Sequence, residues 1–191
     1  MLPDLSGQQI DHDHLLRLLG TGSLGQVYLA EDRRHSPPLQ VALKLLSAFQ
    51  LVPDDLYAFL NEARASLRLR HPHIVPLLDL GFDPQRFLPS LVMTCAPGST
   101  LRQHYPRGAR LPLATVLDYV AQLSSALHSA HNAGMIHRDL KPDNVLLNGE
   151  GRLLLSNFGI AHHTSTFATS FRSNTALQGT PVYMGPEQLQ G

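Results

Sequence analysis

The chain has 191 residues, a one-domain length at which folding buries roughly 70 % of the surface an unfolded chain exposes. Its 15 Lys+Arg balance 15 Asp+Glu, which excludes a net field drawing it to nucleic acid or an anionic membrane, and 43 % apolar residues with 14 Gly and 14 Pro is a globular mix, not a disordered or fibrous one. One cysteine, Cys95, excludes an internal disulfide and any multi-cysteine metal site and points to a reducing, cytosolic setting.

The start, Met1-Leu2-Pro3-Asp4-Leu5-Ser6-Gly7, has no basic region followed by an apolar core and does not read as a signal peptide, and no apolar run approaches a membrane span. Residues 1–14 lack periodicity and read as a loose lead-in. Leu15 to Leu19 reads as a short strand entering Gly20-Thr21-Gly22-Ser23-Leu24-Gly25, and the chain leaves through a second strand, where Val27 and Leu29 alternate with Tyr28 and Ala30. Polar residues 32–38 form a turn. Leu39 to Leu46 is a buried strand carrying one charge, Lys44.

Pro53-Asp54-Asp55 supplies helix-start chemistry, followed at helical spacing by Leu56, Phe59, Leu60, Ala63 and Leu67, with Arg64, Arg68 and Arg70 near the end and Pro72 as the stop. His71-Pro72-His73 is the strongest metal-like spacing among 11 scattered histidines, but the intervening proline argues against a paired ligand. Ile74 to Gly81 and Phe87 to Met93 read as further strands, the second entering a bend at Cys95 to Gly98. Beyond residue 99 the pattern turns helical. Leu113, Val116, Leu117, Val120, Leu123, Leu127 and Ala130 form one long apolar stripe that Gly134 ends. Val145 to Leu147 and Leu153 to Leu155 flank a hairpin turn, and residues 162–180 read as a long Ser/Thr-rich loop.

Three motifs carry chemistry. The glycine stretch leads into a strand and not a helix, so it reads as a hairpin tip whose bare backbone can lie over phosphates; a plain glycine-rich turn is the alternative. Lys44, inside the apolar strand Val41-Ala42-Leu43-Lys44, needs a partner if buried. Glu62 on the following helix is the candidate, and a lysine snorkelling to the surface is the alternative. His137-Arg138-Asp139-Leu140-Lys141-Pro142-Asp143-Asn144 puts eight polar-dense residues where a connection needs two or three. It offers together a hydroxyl acceptor, a phosphate cation and a metal-ligating oxygen.

With these residues in order, followed by Gly179-Thr180-Pro181 and Pro186-Glu187, the chain resembles the protein kinase family over residues 15 to 190. Lys141 two places after Asp139, with Gly179-Thr180-Pro181, resembles the bacterial serine/threonine type. The resemblance implies an α+β, two-lobe kinase-like fold: an antiparallel N-lobe at 15–93 with one key helix, a hinge at 94–98, and a mainly helical, partial C-lobe at 99–191. It implies ATP and Mg²⁺ as cofactors and a protein Ser or Thr as substrate. Gly20, Gly22 and Gly25 would cover the phosphates, with Lys44 on the α- and β-phosphates and Glu62 orienting it. Leu19, Val27, Ala42 and Leu146 would line the adenine, with Met93 behind it and the backbone of Thr94 and Ala96 on its edge. Asp139 would accept the hydroxyl proton, Lys141 would steady the γ-phosphate, Asn144 would ligate Mg²⁺, and Thr180 would hold Asp139 and Lys141 in register. Arg138 would meet a phosphate on the Ser/Thr-rich loop.

The sequence departs from that family in two main places. Its Asp-Phe-Gly appears as Asn157-Phe158-Gly159, so both metal ligands, Asn144 and Asn157, would be neutral, weakening Mg²⁺ binding and slowing transfer by about 10² to 10³. The family also continues beyond Pro186-Glu187 into further helices. Their absence here leaves the apolar stripe of 113–130 short of cover, for which a partner chain is one candidate. Gly185 for the alanine of Ala-Pro-Glu, and Thr94-Cys95 for the usual Glu-Tyr, are lesser departures. Three readings follow: a serine/threonine protein kinase, a pseudokinase that binds nucleotide or a partner with little transfer, and a non-functional fragment.

Overall fold

The period-two alternation of the first half becomes a sheet with one apolar face. In a computed structural model, which describes residues 3–22, 25–46, 63–96, 98–158 and 181–186, the chain divides into two compact units, Met1–Arg68 with Pro76–Ala96 and Leu69–Val75 with Pro97–Gly191.

The first unit is a six-stranded antiparallel sheet of β1 (Gln9–Ile10), β2 (Asp13–Gly22), β3 (Gly25–Asp32), β4 (Leu39–Leu46), β5 (Leu77–Asp83) and β6 (Leu88–Thr94), in the order β1-β2-β3-β4-β6-β5. Leu15, Tyr28, Ala30, Val41, Leu43, Leu45 and Val92 share its core with Leu5 and Ile10. Side chains on a strand alternate between faces, so this leaves Val27, Leu29, Ala42 and Lys44 on the opposite face.

Residues before β2 are not the loose lead-in their composition suggested. Leu5 and Ile10 are buried in the core. The Leu5 N–H donates to the Tyr28 hydroxyl at 3.0 Å, and the Gly7 N–H to the Leu15 carbonyl at 2.7 Å. Two well-placed apolar residues suffice to anchor a short segment, and they create no periodicity to read. The expected strand Ile74 to Gly81 is split by Pro76. Ile74 bridges Leu155 in the other unit's core, and β5 begins only at Leu77. Phe87 stands outside β6 because its φ of 55° and 75 % exposure make it a turn residue.

The second unit contains β7 (Ser99–Thr100), α1 (Leu101–His104), α2 (Leu113–Asn132), a 3₁₀ turn (Pro142–Asn144), β8 (Val145–Leu147), β9 (Leu153–Leu155) and a second 3₁₀ turn (Pro181–Tyr183). A capping box starts α1: the Gln103 N–H donates to Thr100 Oγ1 at 3.1 Å and the Thr100 N–H to Gln103 Oε1 at 2.9 Å. Gly134, at φ 73°, ends α2 in a Schellman motif, with its N–H on the His131 carbonyl and the Met135 N–H on the Ala130 carbonyl, each at 2.9 Å.

The core of this unit gathers Leu69, Ile74, Ala126, Ala130, Met135, Val145, Leu147, Leu153, Leu155 and Phe158. Only part of the α2 stripe reaches it. Leu123 and Leu127 pack on the core, whereas Leu113, Val116, Leu117 and Val120 are exposed. Of the expected helix after Pro53, residues 63–66 are helical, and the chain leaves the helix in a turn at Leu67 and Arg68, with the Arg68 N–H on the Ala65 carbonyl, short of the expected stop at Pro72; its earlier residues, and the Ser/Thr-rich 162–180, lie outside the described residues.

Candidate active site

In the first unit, strand register decides which expected nucleotide residues meet. Directly opposed residues of adjacent strands project to the same face. The register runs Gly20↔Val27, Val27↔Lys44 and Lys44↔Leu91 along one row, and Leu29↔Ala42, Ala42↔Met93 and Met93↔Leu77 along the next. Gly20, Val27, Ala42, Lys44 and Met93, scattered over 74 positions of sequence, therefore share one sheet face, the one opposite the Tyr28 core.

The glycine stretch is the hairpin tip that its strand-like exit implied, with Gly22 paired to Gly25 across β2 and β3. Its glycines are not equivalent. Gly25 has φ 145°, and a Cβ there would fall 1.8 Å from the Leu45 carbonyl oxygen. A Cβ on Gly20 or Gly22 meets nothing within 4 Å. Leu19 sits in the register shift between Leu18 and Gly20 and is exposed. Lys44 is buried, flanked in the strand by fully buried Leu43 and Leu45, which rules out the snorkelling alternative. Glu62 lies outside the described residues. The Thr94 N–H donates to the Pro76 carbonyl at 3.0 Å, and Ala96 follows in irregular backbone.

In the second unit the His-Arg-Asp stretch is held by hydrogen bonds, not by regular structure. His137 is 2 % exposed; its Nε2–H donates to the Ser156 carbonyl at 2.8 Å, while Nδ1 accepts the Asp139 N–H at 3.3 Å. Those two roles define a neutral ring with its proton on Nε2, and burial holds the ring below the usual histidine range. Phe158 packs edge-on to it, with ring centres 4.8 Å apart. Arg138, next in sequence, has φ 61°, a strained value for a long side chain, of the kind found where surrounding contacts dictate the backbone.

That scaffold positions the polar cluster. Asp139 Oδ2 receives Lys141 Nζ at 2.8 Å and Asn144 Nδ2 at 2.8 Å, and Asn144 Nδ2 also reaches the Asp139 carbonyl at 2.8 Å. Asn144 is buried, and its own carbonyl accepts both the N–H and the Oγ–H of Ser156 at 2.9 Å. Asn157, at φ 66°, donates Nδ2–H to Asn144 Oδ1 at 2.9 Å. Asp139, Lys141 and Asn144, from one motif, and Asn157, which only the family resemblance singled out, are thus brought together. Leu146 is half-buried on β8, paired with Thr100 and Leu154, and Thr180 lies outside the described residues.

Sequence reasoning missed Ser156 and the anchoring role of His137. Ser156 precedes the Asn-Phe-Gly triplet with no periodicity or charge to mark it, and its importance is visible only as three hydrogen bonds. The His71 and His73 rings are spent locally. His71 Nδ1 accepts the His73 N–H at 3.1 Å, and His73 Nδ1 lies 3.0 Å from the Leu153 carbonyl.

Comparison with known proteins gives consistent results. The protein kinase domain family matches residues 14–191. The chain is 40 % identical over 178 residues to the DNA damage-responsive serine/threonine-protein kinase RqkA of Deinococcus radiodurans, covering 93 % of this chain and 26 % of that protein. It is 36 % identical to the serine/threonine-protein kinase PknA of Mycobacterium tuberculosis, over 93 % of this chain and 41 % of PknA. Among solved structures, the Mycobacterium tuberculosis PknI kinase domain superposes with a TM-score of 0.72 at 34 % identity, covering 84 % of this chain and 64 % of that domain. The chain thus spans well under half the length of these two curated relatives and about two thirds of the kinase domain it superposes on. The expected α+β, kinase-like fold is the one observed.

Proposed function

From a chain that belongs to the protein kinase family, we propose a serine/threonine protein kinase-like domain that binds ATP and offers the Ser or Thr hydroxyl of a protein to Asp139. The observation that carries the reading is the Asp139 carboxylate, held by Lys141 and Asn144 on a loop that neutral, buried His137 fixes in place. A preorganised carboxylate of this kind orients a hydroxyl and accepts its proton as the oxygen becomes nucleophilic.

Family membership implies ATP and Mg²⁺. A nucleotide is supported by the shared sheet face, where apolar Val27, Ala42 and Met93 suit a purine and the Lys44 ammonium suits its phosphates, beneath the Gly20–Gly25 tip. Leu19 and the backbone of Thr94 and Ala96 would complete the adenine contacts from this unit, with Glu62 orienting Lys44; in the second unit Thr180 would support Asp139. ATP, when bound, supplies the phosphoryl group. Lys141 would neutralise charge beside Asp139 while the proton moves to the carboxylate.

The donor set fits a tightly held divalent ion poorly. Mg²⁺ sites in such enzymes use one or two carboxylates. Here Asn144 and Asn157 are both neutral, and the Asn144 oxygen that would face a metal already accepts the Asn157 N–H at 2.9 Å. No group of three or more His, Cys, Asp or Glu suited to a metal occurs among the described residues. That bond favours a second reading, a pseudokinase that binds nucleotide with little transfer.

One experiment separates the two: thermal shift with ATP, with and without Mg²⁺, then autophosphorylation of the wild type and of Asn157→Asp. The kinase reading expects measurable wild-type transfer that Asn157→Asp raises about 10²-fold or more. A wild type that binds ATP indifferently to Mg²⁺ and is active only as Asn157→Asp is the pseudokinase. Absence of any ATP-induced shift overturns both.

A further inference from the structure

The second unit carries a cavity at α1 and the Pro181–Tyr183 turn. It measures about 410 Å³, opens to solvent, and is lined by Arg102, Arg107, Gly108, Val182 and Tyr183. The lining therefore has two guanidinium groups, one phenol and one aliphatic side chain, with no carboxylate. Arg102 Nη2 donates to the Tyr183 hydroxyl, which ties α1 to the Pro181–Tyr183 turn. Arg107 sits in the turn closed by the Ala109 N–H on the Pro106 carbonyl at 3.1 Å, followed by Gly108 at φ 87°. Neither arginine forms an ion pair with a carboxylate among the described residues.

The two described segments that line the cavity carry charge of one sign only, positive. Residues 99–117 contain Arg102, Arg107 and Arg110, with His104, and no Asp or Glu, and residues 181–186 carry no charge. Clustered guanidinium groups without counter-charges raise the local potential and present planar donor forks matched to carboxylate or phosphate oxygens. Val182, 83 % exposed, adds an apolar rim suited to the stem of a side chain and not to a bare ion.

The cavity also lies close to the proposed chemistry within the same unit. Helix α1 packs against the 3₁₀ turn Pro142–Asn144, and Asn144 holds the Asp139 carboxylate at 2.8 Å. We infer that the Arg102–Arg107 cavity binds an anionic side chain, carboxylate or phosphate, on the polypeptide whose hydroxyl is presented to Asp139, so that the substrates are Ser or Thr segments with acidic flanks. The inference rests on the kinase reading for the identity of that polypeptide as a substrate.

The test uses the 191-residue chain and fluorescence anisotropy of labelled serine peptides that differ only in their flanks: alanine, aspartate, phosphoserine or lysine. Aspartate and phosphoserine peptides are expected to bind about tenfold tighter than the alanine peptide, and the lysine peptide more weakly. Arg107→Ala should remove most of that preference and Arg107→Lys should retain part of it, with circular dichroism verifying that each variant folds. A gain with phosphoserine alone makes phosphate the ligand; equal gains make any anion sufficient. Equal binding of the alanine peptide and both anionic peptides, or a preference unchanged in Arg102→Ala/Arg107→Ala, overturns the inference. An ATP thermal shift on the same samples reads the kinase assignment separately. A shift without acidic preference sinks the anion site alone, and an acidic preference without a shift keeps the anion site while sinking the kinase reading.

Discussion

Two carboxylates facing each other across β2 and β3 illustrate how neighbours outweigh residue type. Asp13 and Asp32 are opposed in register and both buried. Asp32 is held down to about 2 by hydrogen bonds from Arg34, whereas Asp13, with one carboxylate oxygen unpartnered, is pushed up to about 6 by burial and then by Asp32. A carboxyl whose folded value lies above its unfolded value binds more protons when folded, so its contribution to stability is full below the unfolded value near 3.8 and is lost as pH rises through about 6. Asp13→Asn is therefore expected to stabilise the chain by on the order of 2 kcal/mol at pH 7.5, with the gain vanishing near pH 4, as read from denaturant melts at both values. Glycine identity is equally local. Gly25→Ala, whose Cβ would strike the Leu45 carbonyl, should cost about 3 kcal/mol or more, while Gly20→Ala, with open space around it, should cost under about 1 kcal/mol in the same melts.

At the scale of elements, the apolar stripe and stop glycine of α2 were legible, but how the stripe divides was not. Its apolar residues cover a wider arc than one packing partner can bury, so Leu123, Leu127 and Ala130 meet the core while Leu113, Leu117 and Val120 face solvent. The helix end depends on a left-handed residue at 134 with no neighbour that a Cβ would strike. Gly134→Ala should accordingly cost only the backbone preference, about 1 kcal/mol, measurable as a lower melting midpoint with unchanged helix content. Conversely, Pro76 was visible in sequence, yet the apolar residues around it read as one strand. The break is a tertiary feature: Ile74 and Val75 lie on Leu155 and not in the sheet.

At the scale of the whole molecule, each unit has its own core, and exposure decides which apolar residues matter. Leu153 is fully buried, and Leu117 is 61 % exposed. Leu153→Ala should destabilise by about 2–5 kcal/mol, whereas Leu117→Lys should change stability by no more than about 0.5 kcal/mol, and size-exclusion profiles should show less self-association for Leu117→Lys. None of the helices among the described residues is long and apolar enough to cross a membrane.

Order along the chain, by itself, determined the family: glycine hairpin, strand lysine and His-Arg-Asp with Asn144 are short-range patterns written in the sequence. Tertiary structure alone decided what those residues do to one another. That Asn157 donates to the Asn144 oxygen, that Ser156 and His137 brace the Asp139 loop, and that two arginines face an uncharged turn are contacts between segments, set by packing and hydrogen-bond geometry that no spacing along the chain records.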